Sequence, residues 1–397
     1  MSLGTDMNDT AGLPSFPGVR DARCPFDPPQ EYAQWRDKDG LQRADWHGSP
    51  VWMVSRFEDI RAVLSDERIS SATVDTEGRP PIFPKMDDPE HARLRRMLTK
   101  DFTVKKVQAM RPQIAEMVDD ILEKMISKGQ PADLVTDYAL PIPSLVISLL
   151  LGVPYTDHGF FQEHSNILLN VKAGEEERHA ASMALYGYLL ELVARKEREP
   201  GDDLISRLIT ERVLTGEITR ETAAMNGNIL LIAGHETTSN MIGLSTLTLL
   251  RNPEALARIR DTDDPAVLAN AVEELLRYLT IAQDMIVRVA LEDLTIGGQL
   301  VRAGDTLVTN LSAGNRDSAF LTDPDRFDIG RSARGHLAFG YGVHQCLGQS
   351  LARAELEIAL PALLRRLPGL RLAVPAEELR FRHEMATYGV HELPVAW

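Results

Sequence analysis

Cys346, one of only two cysteines in the chain, lies in the segment F-G-Y-G-V-H-Q-C-L-G at residues 339–348. The glycines of this segment allow tight turns and leave room for a flat group beside the sulfur. A helix predicted to begin at about Leu347 would favour the thiolate, which is a nucleophile or a metal ligand. His344 is awkwardly placed as the base of a nucleophile. A haem iron ligand fits better, and a buried, inert cysteine is the alternative.

A second segment, A-G-H-E-T-T-S-N at residues 233–240, places a carboxylate beside a hydroxyl in a helical pattern. Gly234 weakens the helix locally, and Thr237 can offer its hydroxyl in place of a backbone hydrogen bond. Glu236 could then relay protons from solvent. An H-E-x-x-H zinc site is excluded because position 239 holds serine. A buried helix whose threonines bond their own carbonyls is the other interpretation.

Two charged patterns could hold a scaffold or an anion. Glu274 and Arg277 lie three apart on one predicted helical face, a spacing that contributes only about 0.2–0.5 kcal/mol when the pair is exposed. His91 and Arg95 lie four apart, so their side chains can converge on a carboxylate. Both patterns are also common on solvated helices, and the spacing alone leaves the two interpretations open.

The elements that must position these residues are mainly helical. Apolar periodicity predicts helices over 104–127, 157–170, 175–199 and 219–251, and a further helix ending near residue 278. Thr219 is the predicted N-cap of the longest helix, which is apolar nearly all round and therefore buried centrally. Ser55 is the predicted N-cap of the helix R-F-E-D-I-R-A-V-L-S-D. Pro361 predicts a kink or break in the last long helix.

Short extended runs supply a smaller β portion, so the predicted fold class is mainly α with some β in one domain. Strands are expected at P-V-W-M-V-S, between residues 285 and 309, and at the C-terminal Y-G-V-H-E-L-P-V-A-W. The predicted single domain covers residues 1–397, with β-containing parts at about 1–55, 280–310 and 370–397 and helical parts at about 56–280 and 347–367.

The composition excludes several classes of protein. The chain has 397 residues and is 44% hydrophobic, which can support a large core. Its 43 basic and 58 acidic residues give a net charge of −15, which argues against nucleic acid as a general partner. Two cysteines are too few for a disulfide framework. The polar first residues and the absence of an uninterrupted apolar span predict a soluble, cytoplasmic protein without a membrane anchor.

The motifs together resemble those of the cytochrome P-450 family, in its soluble actinobacterial form. F-x-x-G-x-x-x-C-x-G at 339–348 resembles the cysteine-ligand loop of that family, and A-G-H-E-T-T resembles its oxygen-activation motif. E-x-x-R at Glu274 and Arg277 is joined by Arg326 of P-D-R-F, the expected third member of a structural cluster. The motifs follow the family order between residues 91 and 348.

The resemblance implies a triangular-prism fold with a long central helix and a haem b that is not covalently attached, since C-x-x-C-H is absent. Cys346 would be the axial ligand of the haem iron, while Glu236 and Thr237 would be the catalytic pair. Basic contacts to the haem propionates would come from His91, Arg95, Arg288 and His344. Further haem contacts would be Phe339, Gly340, Gly348, Ala233 and Gly234.

The implied activity is a monooxygenase that uses O2 to hydroxylate or epoxidise a hydrophobic small molecule, such as a macrolide or polyketide, a terpenoid or a steroid-like compound. Peroxide-driven or oxidative-coupling chemistry, and a non-catalytic haem sensor or carrier, are the alternatives. Substrate-lining positions are expected in the loop after Ser70 and beyond, namely Ile82, Phe83, Leu230, Ala233, Ile281, Met285, Ile286, Met385 and Ala386. Asp284 is a less favoured substrate contact and is expected to be exposed.

Electrons would come from a ferredoxin and its reductase, because the chain has no flavin or iron–sulfur motif of its own. A monomer is expected. The segment H-A-R-L-R-R-M-L-T-K-D-F-T-V-K-K, residues 91–106, concentrates basic residues that would form a docking patch for an acidic ferredoxin. Its predicted members are Arg93, Arg95, Arg96, Lys100, Lys105 and Lys106.

Overall fold

The computed structural model describes residues 10–21, 24–72 and 82–397. Within these residues there are thirteen α-helices and eleven short strands, so the mainly helical prediction is correct. No helix among them is both long and apolar enough to span a membrane.

The helices whose bounds are predicted from the sequence begin and end within one or two residues of the expected positions. In chain order they are α1 (Gln30–Asp37), α2 (Phe57–Ser65), α3 (Glu90–Thr99), α4 (Val104–Lys128), α5 (Pro141–Leu151), α6 (His158–Leu169), α7 (Glu175–Arg198), α8 (Leu204–Leu208), α9 (Arg220–Leu250), α10 (Pro253–Asp261), α11 (Pro265–Leu279), α12 (Leu311–Asn315) and α13 (Gln349–Arg366).

The strands are short, and two of them lie within residues 56–280, the part of the chain that is predicted to be helical. In chain order they are β1 (Ser15–Phe16), β2 (Gln42–Trp46), β3 (Ser49–Val54), β4 (Ile69–Ser70), β5 (Ala132–Asp133), β6 (Val287–Ala290), β7 (Leu294–Ile296), β8 (Gln299–Val301), β9 (Thr306–Thr309), β10 (Arg371–Leu372) and β11 (Pro394–Ala396). These two are β4 and β5, which are each edge strands of two residues.

The chain divides into two compact units. That these units form one domain stays a prediction from the sequence. The first unit comprises the described residues up to 72 together with 273–346, and the second comprises 82–272 with 347–397. One boundary falls within α11, and the other follows Cys346.

The first unit is built on a six-stranded sheet in the order β1-β2-β3-β9-β6-β4. Alternate side chains of a strand point to opposite faces, so β3 serves two apolar clusters. Val54 packs with Leu307 and Leu337 in one cluster, while Met53 packs with Trp35 in the other. Strand β6 pairs antiparallel with β9, placing Arg288 opposite Leu307.

The second unit is organised around α9, which packs against α5, α7, α10 and α13. Thr219 caps this helix as predicted, because its hydroxyl accepts a hydrogen bond from the Thr222 amide at 3.1 Å. Nearly every side chain beyond Thr237 is buried, which explains why the sequence is apolar on all faces there. A smaller sheet, β10-β11-β5, completes the unit.

Gly234 lets α5 approach α9 closely. A Cβ atom at this position would lie 2.6 Å from Cγ1 of Ile147 on α5. The glycine therefore serves helix packing, in addition to the local weakening of the helix expected from the sequence.

One local prediction is wrong, and two others need adjustment. Helix α2 starts after Arg56 without a side-chain cap from Ser55; Asp317 supplies the cap from a distant loop, its carboxylate accepting from the Phe57 amide at 2.9 Å. Helix α13 starts at Gln349, two residues later than expected. It also has no break at Pro361, which is buried in the last turns of the helix, while a kink there stays a prediction.

Replacing Asp317 by alanine should destabilise the first unit, since the amide of Phe57 loses its acceptor and the negative charge near the helix start is removed. We expect a loss of about 1–2 kcal/mol in the free energy of unfolding, measured by urea titration. Ser55→Ala is the matched control and should change stability by less than about 0.5 kcal/mol, because its buried hydroxyl has no hydrogen-bond partner among the described residues. Equal losses in the two variants would contradict the assignment of the cap.

Candidate functional site

The cysteine loop is closed by a backbone hydrogen bond from the Cys346 amide to the Phe339 carbonyl at 2.9 Å. Gly340 and Gly342 have φ values of 70° and 73°, the left-handed region that favours glycine. A Cβ atom on Gly342 would lie 2.4 Å from the carbonyl oxygen of Leu64, so no other residue fits there without a shift of the backbone. The loop glycines are therefore required by the geometry of the turn.

Cys346 is exposed, although Leu337 at the start of the loop is completely buried. A Cβ atom on Gly348 would meet no other atom within 4 Å, which leaves space beside the sulfur. Among residues 10–21, 24–72 and 82–397, no three His, Cys, Asp or Glu side chains cluster in a way that could hold a metal ion. An iron porphyrin needs only one thiolate from the protein, and the exposed sulfur with the space beside it fits such a group.

A buried ion pair is connected to this loop by hydrogen bonds. Arg277 donates to both carboxylate oxygens of Glu274, at 2.7 and 2.9 Å, and neither side chain has any exposed surface. The same guanidinium donates to the backbone carbonyl of Asn315 at 2.9 Å. The Asn315 side chain in turn accepts from the Leu337 amide at 2.6 Å. The E-x-x-R pair is thus connected to the start of the cysteine loop through one asparagine.

The prediction that the Arg326 side chain completes this cluster is wrong. That side chain is 64% exposed and bonds Asp328, while only its backbone carbonyl accepts a hydrogen bond from Arg277, at 3.2 Å. The second guanidinium near Glu274 belongs to Arg331, whose Nε lies 3.8 Å from the carboxylate. The P-D-R-F motif suggested the right segment of chain, but the arginine five residues further on points inward.

Two predicted propionate contacts belong to the first unit. Arg288 lies on β6 and is buried, with one guanidinium nitrogen donating to the Val287 carbonyl at 2.9 Å. His344 lies in a single 3-10 turn, Gly342–His344, and is half-buried. His336 packs within the loop, since its Nδ1 accepts from the Ala338 amide at 3.0 Å.

The other two predicted propionate contacts lie on α3 in the second unit. His91 is 1% exposed and its Nδ1 is 3.0 Å from the Asp88 carboxylate. Burial lowers the pKa of His91, and the nearby charge of Arg95 lowers it further. Arg95 is half-buried on the same side of the helix, one turn further on. The predicted convergence of these two side chains is compatible with this geometry.

Helix α9 leaves one stripe open to solvent, and this stripe ends at Thr237. Met225, Ile229, Ala233 and Thr237 follow one another at intervals of four residues, and each is at least partly exposed. The Thr237 hydroxyl donates to the Ala233 carbonyl at 2.8 Å, which is the contact expected from the other interpretation of this segment, in which threonines bond their own carbonyls. The stripe is an apolar surface that terminates in a hydroxyl, as a wall of a substrate and oxygen site requires.

Glu236 is paired with an arginine that sequence reasoning missed. Its side chain is 4% exposed and forms an ion pair with Arg382, from the turn before the C-terminal strand. Arg382 also donates to Asn166 on α6 at 2.9 Å and to Asn240 at 3.3 Å. No sequence spacing links positions 236 and 382, and only the unusual placement of an arginine in F-R-H-E-M could have drawn attention to it.

The predicted substrate-lining positions differ in how far their side chains are exposed to solvent. Ile82, Ile281, Ile286 and Ala386 are partly exposed, and Met285 is 41% exposed. Leu230, Phe83 and Met385 are buried, and their role in lining a substrate site stays a prediction. The part of the loop at residues 73–81 lies outside the described residues.

The C-terminal turn that carries Met385 and Ala386 is joined to the end of α6. The Ala386 amide donates to the Leu169 carbonyl at 2.8 Å, and the Val171 amide donates to the Glu384 carbonyl at 2.9 Å. A β-bridge also pairs Asn170 with Met385. These backbone bonds fix the turn and the helix end to each other.

Asp284 is not exposed, in contrast to the prediction. Its side chain is only 4% exposed, and its carboxylate accepts from the indole of Trp46 and contacts the imidazole of His47. These partners hold the carboxylate within the first unit.

Comparison with known proteins agrees with this geometry. The family model for cytochrome P-450 matches residues 41–368. The chain is 51% identical to cytochrome P-450-SU2 of Streptomyces griseolus, covering 96% of this chain and 97% of that protein. It is 47% identical to pentalenic acid synthase of Streptomyces avermitilis, again covering 96% and 97%. The crystal structure of mycinamicin VIII C21 methyl hydroxylase MycCI from Micromonospora griseorubida, bound to mycinamicin VIII, has a TM-score of 0.91 at 42% identity, covering 97% of this chain and 100% of that chain.

The fold and the cysteine loop define a protein of the haem-thiolate class. The chain belongs to the cytochrome P-450 family, in its actinobacterial form, and it is a monooxygenase. The mainly helical P-450 fold expected from the motifs is confirmed.

Substituting Arg277 by leucine should be strongly destabilising, because it leaves the Glu274 carboxylate buried without its partner. We expect a loss of about 3–5 kcal/mol in the free energy of unfolding, measured by urea titration. Arg326→Ala is the control suggested by the corrected geometry, and its effect should stay within about 0.5 kcal/mol. A large loss in the Arg326 variant would show that its exposed side chain matters after all.

Proposed function

We propose that this monooxygenase hydroxylates or epoxidises a hydrophobic secondary metabolite, using a non-covalent haem b with Cys346 as the iron ligand. The observation that carries the proposal is the cysteine loop, in which two glycines with positive φ and the amide bond to Phe339 present an exposed sulfur. Among the other candidates, Arg288 and His344 in the first unit and His91 and Arg95 in the second would bind the propionates. Phe339, Gly340, Gly348, Ala233 and Gly234 would contact the ring.

The bound haem would supply the activation of dioxygen, which no side chain of this protein can perform. The protein's own contribution is to hold the ligand and to handle protons. Thr237 offers a hydroxyl at the end of the apolar stripe of α9, and Glu236 lies beside it in the chain. Glu236 would take up a proton from its surroundings and release it toward the Thr237 hydroxyl, which would give its own proton to the oxygen being reduced and regain one from Glu236, so that neither residue is changed. Arg382 orients the Glu236 carboxylate while this happens.

The substrate class is supported by the surface of α9 and by the similar proteins. Met225, Ile229 and Ala233 form an apolar stripe, which suits a ligand with a hydrophobic body. Among the relatives, one is named for the formation of pentalenic acid and one for hydroxylation of a methyl group of mycinamicin VIII. We infer a substrate of similar hydrophobic character, in the range of polyketides, terpenoids and steroid-like compounds.

We further propose that a ferredoxin in the cytoplasm delivers the electrons to a monomeric enzyme, by docking on basic residues near the start of α4. Arg96, Lys105 and Lys106 are exposed. Lys100 is less available, because it pairs with Glu211 at 3.0 Å, and Arg93 donates to the Glu217 carbonyl at 3.2 Å. The docking patch is therefore narrower than residues 91–106 suggest.

The ligand assignment is tested by Cys346→Ser. The wild-type protein, reduced and exposed to carbon monoxide, should show the red-shifted Soret band of thiolate ligation, and the variant should lose it while retaining a folded chain by circular dichroism. A wild-type protein that binds no haem would contradict the proposal, as would an unchanged spectrum in the variant.

Thr237→Ala distinguishes an oxygen-activating enzyme from a haem sensor or carrier. In the enzyme, loss of the hydroxyl should divert reducing equivalents to peroxide and lower the product formed per NADPH consumed by roughly tenfold or more, in keeping with the usual contribution of a proton-transfer group. The measurement compares product with peroxide and NADPH consumption. If the wild-type protein forms no product and the substitution changes none of these quantities, the sensor or carrier function is favoured.

Charge reversal tests the docking patch. Lys105→Glu combined with Lys106→Glu should slow reduction by ferredoxin, and the effect should be larger at low than at high ionic strength because salt screens exposed charges. The readout is stopped-flow reduction under carbon monoxide. Lys172→Glu, an exposed lysine beyond α6, is the control. Equal rates for the double variant and the wild type at both salt concentrations would exclude this patch.

A further inference from the structure

A small cavity lined by both polar and apolar side chains lies behind α9, on the side facing α5 and α6. It has a volume of about 10 Å³, enough for one water molecule. The polar residues that line it are Ser144, Ser148, His158, Gln162 and His235. Gln162 and His158 are partly exposed, so the cavity lies close to solvent, whereas His235 is only 2% exposed at its inner end.

The state of the His235 ring follows from its one hydrogen bond. Nδ1 lies 2.8 Å from the Leu231 carbonyl, which can only accept, so Nδ1 carries the hydrogen. Burial lowers the pKa of His235, which favours the neutral ring. Nε2 is then an acceptor, and within the described residues it has no hydrogen-bond partner. A buried acceptor beside a cavity of this size calls for a donor, and water is the donor that fits.

The same nitrogen faces the catalytic acid. His235 Nε2 lies 4.0 Å from Oε2 of Glu236, too far for a direct hydrogen bond, and both atoms are acceptors. A water molecule that donates to both would satisfy them together.

The other oxygen of Glu236 is paired with Arg382, and a guanidinium does not give up its proton in proteins. Asn166 and Asn240, which accept from Arg382, are amides and do not titrate. The side of Glu236 that faces His235 is therefore the better placed of the two to receive a proton.

We propose that the cavity holds a water molecule bound to His235 Nε2, and that this water is the entry route for protons to Glu236. The water gives one of its protons to the Glu236 carboxylate as it takes one proton from solvent at the Gln162 and His158 rim, so one proton enters, one is delivered, the water is unchanged and no electron moves. His235 acts as a positioning residue, since it orients the water without bonding to the reacting atoms. This inference rests on the proposed monooxygenase function and adds the source of its protons.

The first test requires no catalysis. Nitrogen-15 NMR of histidine-labelled protein, with and without haem, should show His235 as the neutral Nδ1–H tautomer, with its ring protons in contact with a long-lived water. His235→Phe supplies the assignment by loss of the signal. His164→Phe is the matched control, because His164 also bonds a carbonyl four residues earlier, Phe160 at 2.8 Å, but does not line the cavity.

The second test is kinetic. His235→Phe should lower product formed per NADPH by about fivefold or more and change the solvent isotope effect on turnover, while substrate binding, read from the iron spin state, stays within twofold. His235→Gln, which keeps an acceptor at the cavity, should restore most of the coupling, and His164→Phe should behave as the wild type.

A dry cavity, an Nε2–H tautomer, or wild-type coupling in His235→Phe would each overturn the proposal. Failure of the proposed function can be told apart from failure of this inference. A wild-type protein that forms no product would still give the NMR result on the water and the tautomer.

Discussion

The buried pair of Glu274 and Arg277 is the interaction on which the cysteine loop depends. Its charges have no access to water, so their energy relies on each other and on the carbonyls that Arg277 also binds. One of these carbonyls belongs to Asn315, whose side chain holds the first amide of the loop segment. The loop glycines can adopt their turn only if its start is held in place, and this connection provides the anchor for the sulfur at its far end.

Helix α9 imposes a second constraint, since it must be buried on most faces and still present a reactive one. Its burial is achieved by apolar side chains and by Gly234, which admits α5. The open stripe ends at Thr237, whose hydroxyl donates to the Ala233 carbonyl, and the acid beside it points to the protein interior instead. Adjacent residues of one helix thus serve two environments, one facing a ligand surface and the other facing Arg382 and His235.

The sequence predicts helices and local motifs well because both depend on short-range spacing. The bounds of α4, α7 and α9 follow from periodicity, and the cysteine and acid–alcohol motifs are each contiguous. Partners distant in the chain were missed for the same reason. Asp317 caps α2, Arg331 stands where Arg326 was expected, and Arg382 reaches Glu236, yet no spacing relates these positions. Asp284 was misjudged because its burial depends on Trp46 and His47, more than 200 residues earlier.

The backbone bonds between the end of α6 and the C-terminal turn determine how freely the sequence of this turn can vary. Because the attachment uses amides and carbonyls at Leu169, Val171, Glu384 and Ala386, it is indifferent to which side chains those positions carry, proline excepted. The side chains of this turn can therefore change in evolution while the adjoining helix stays attached.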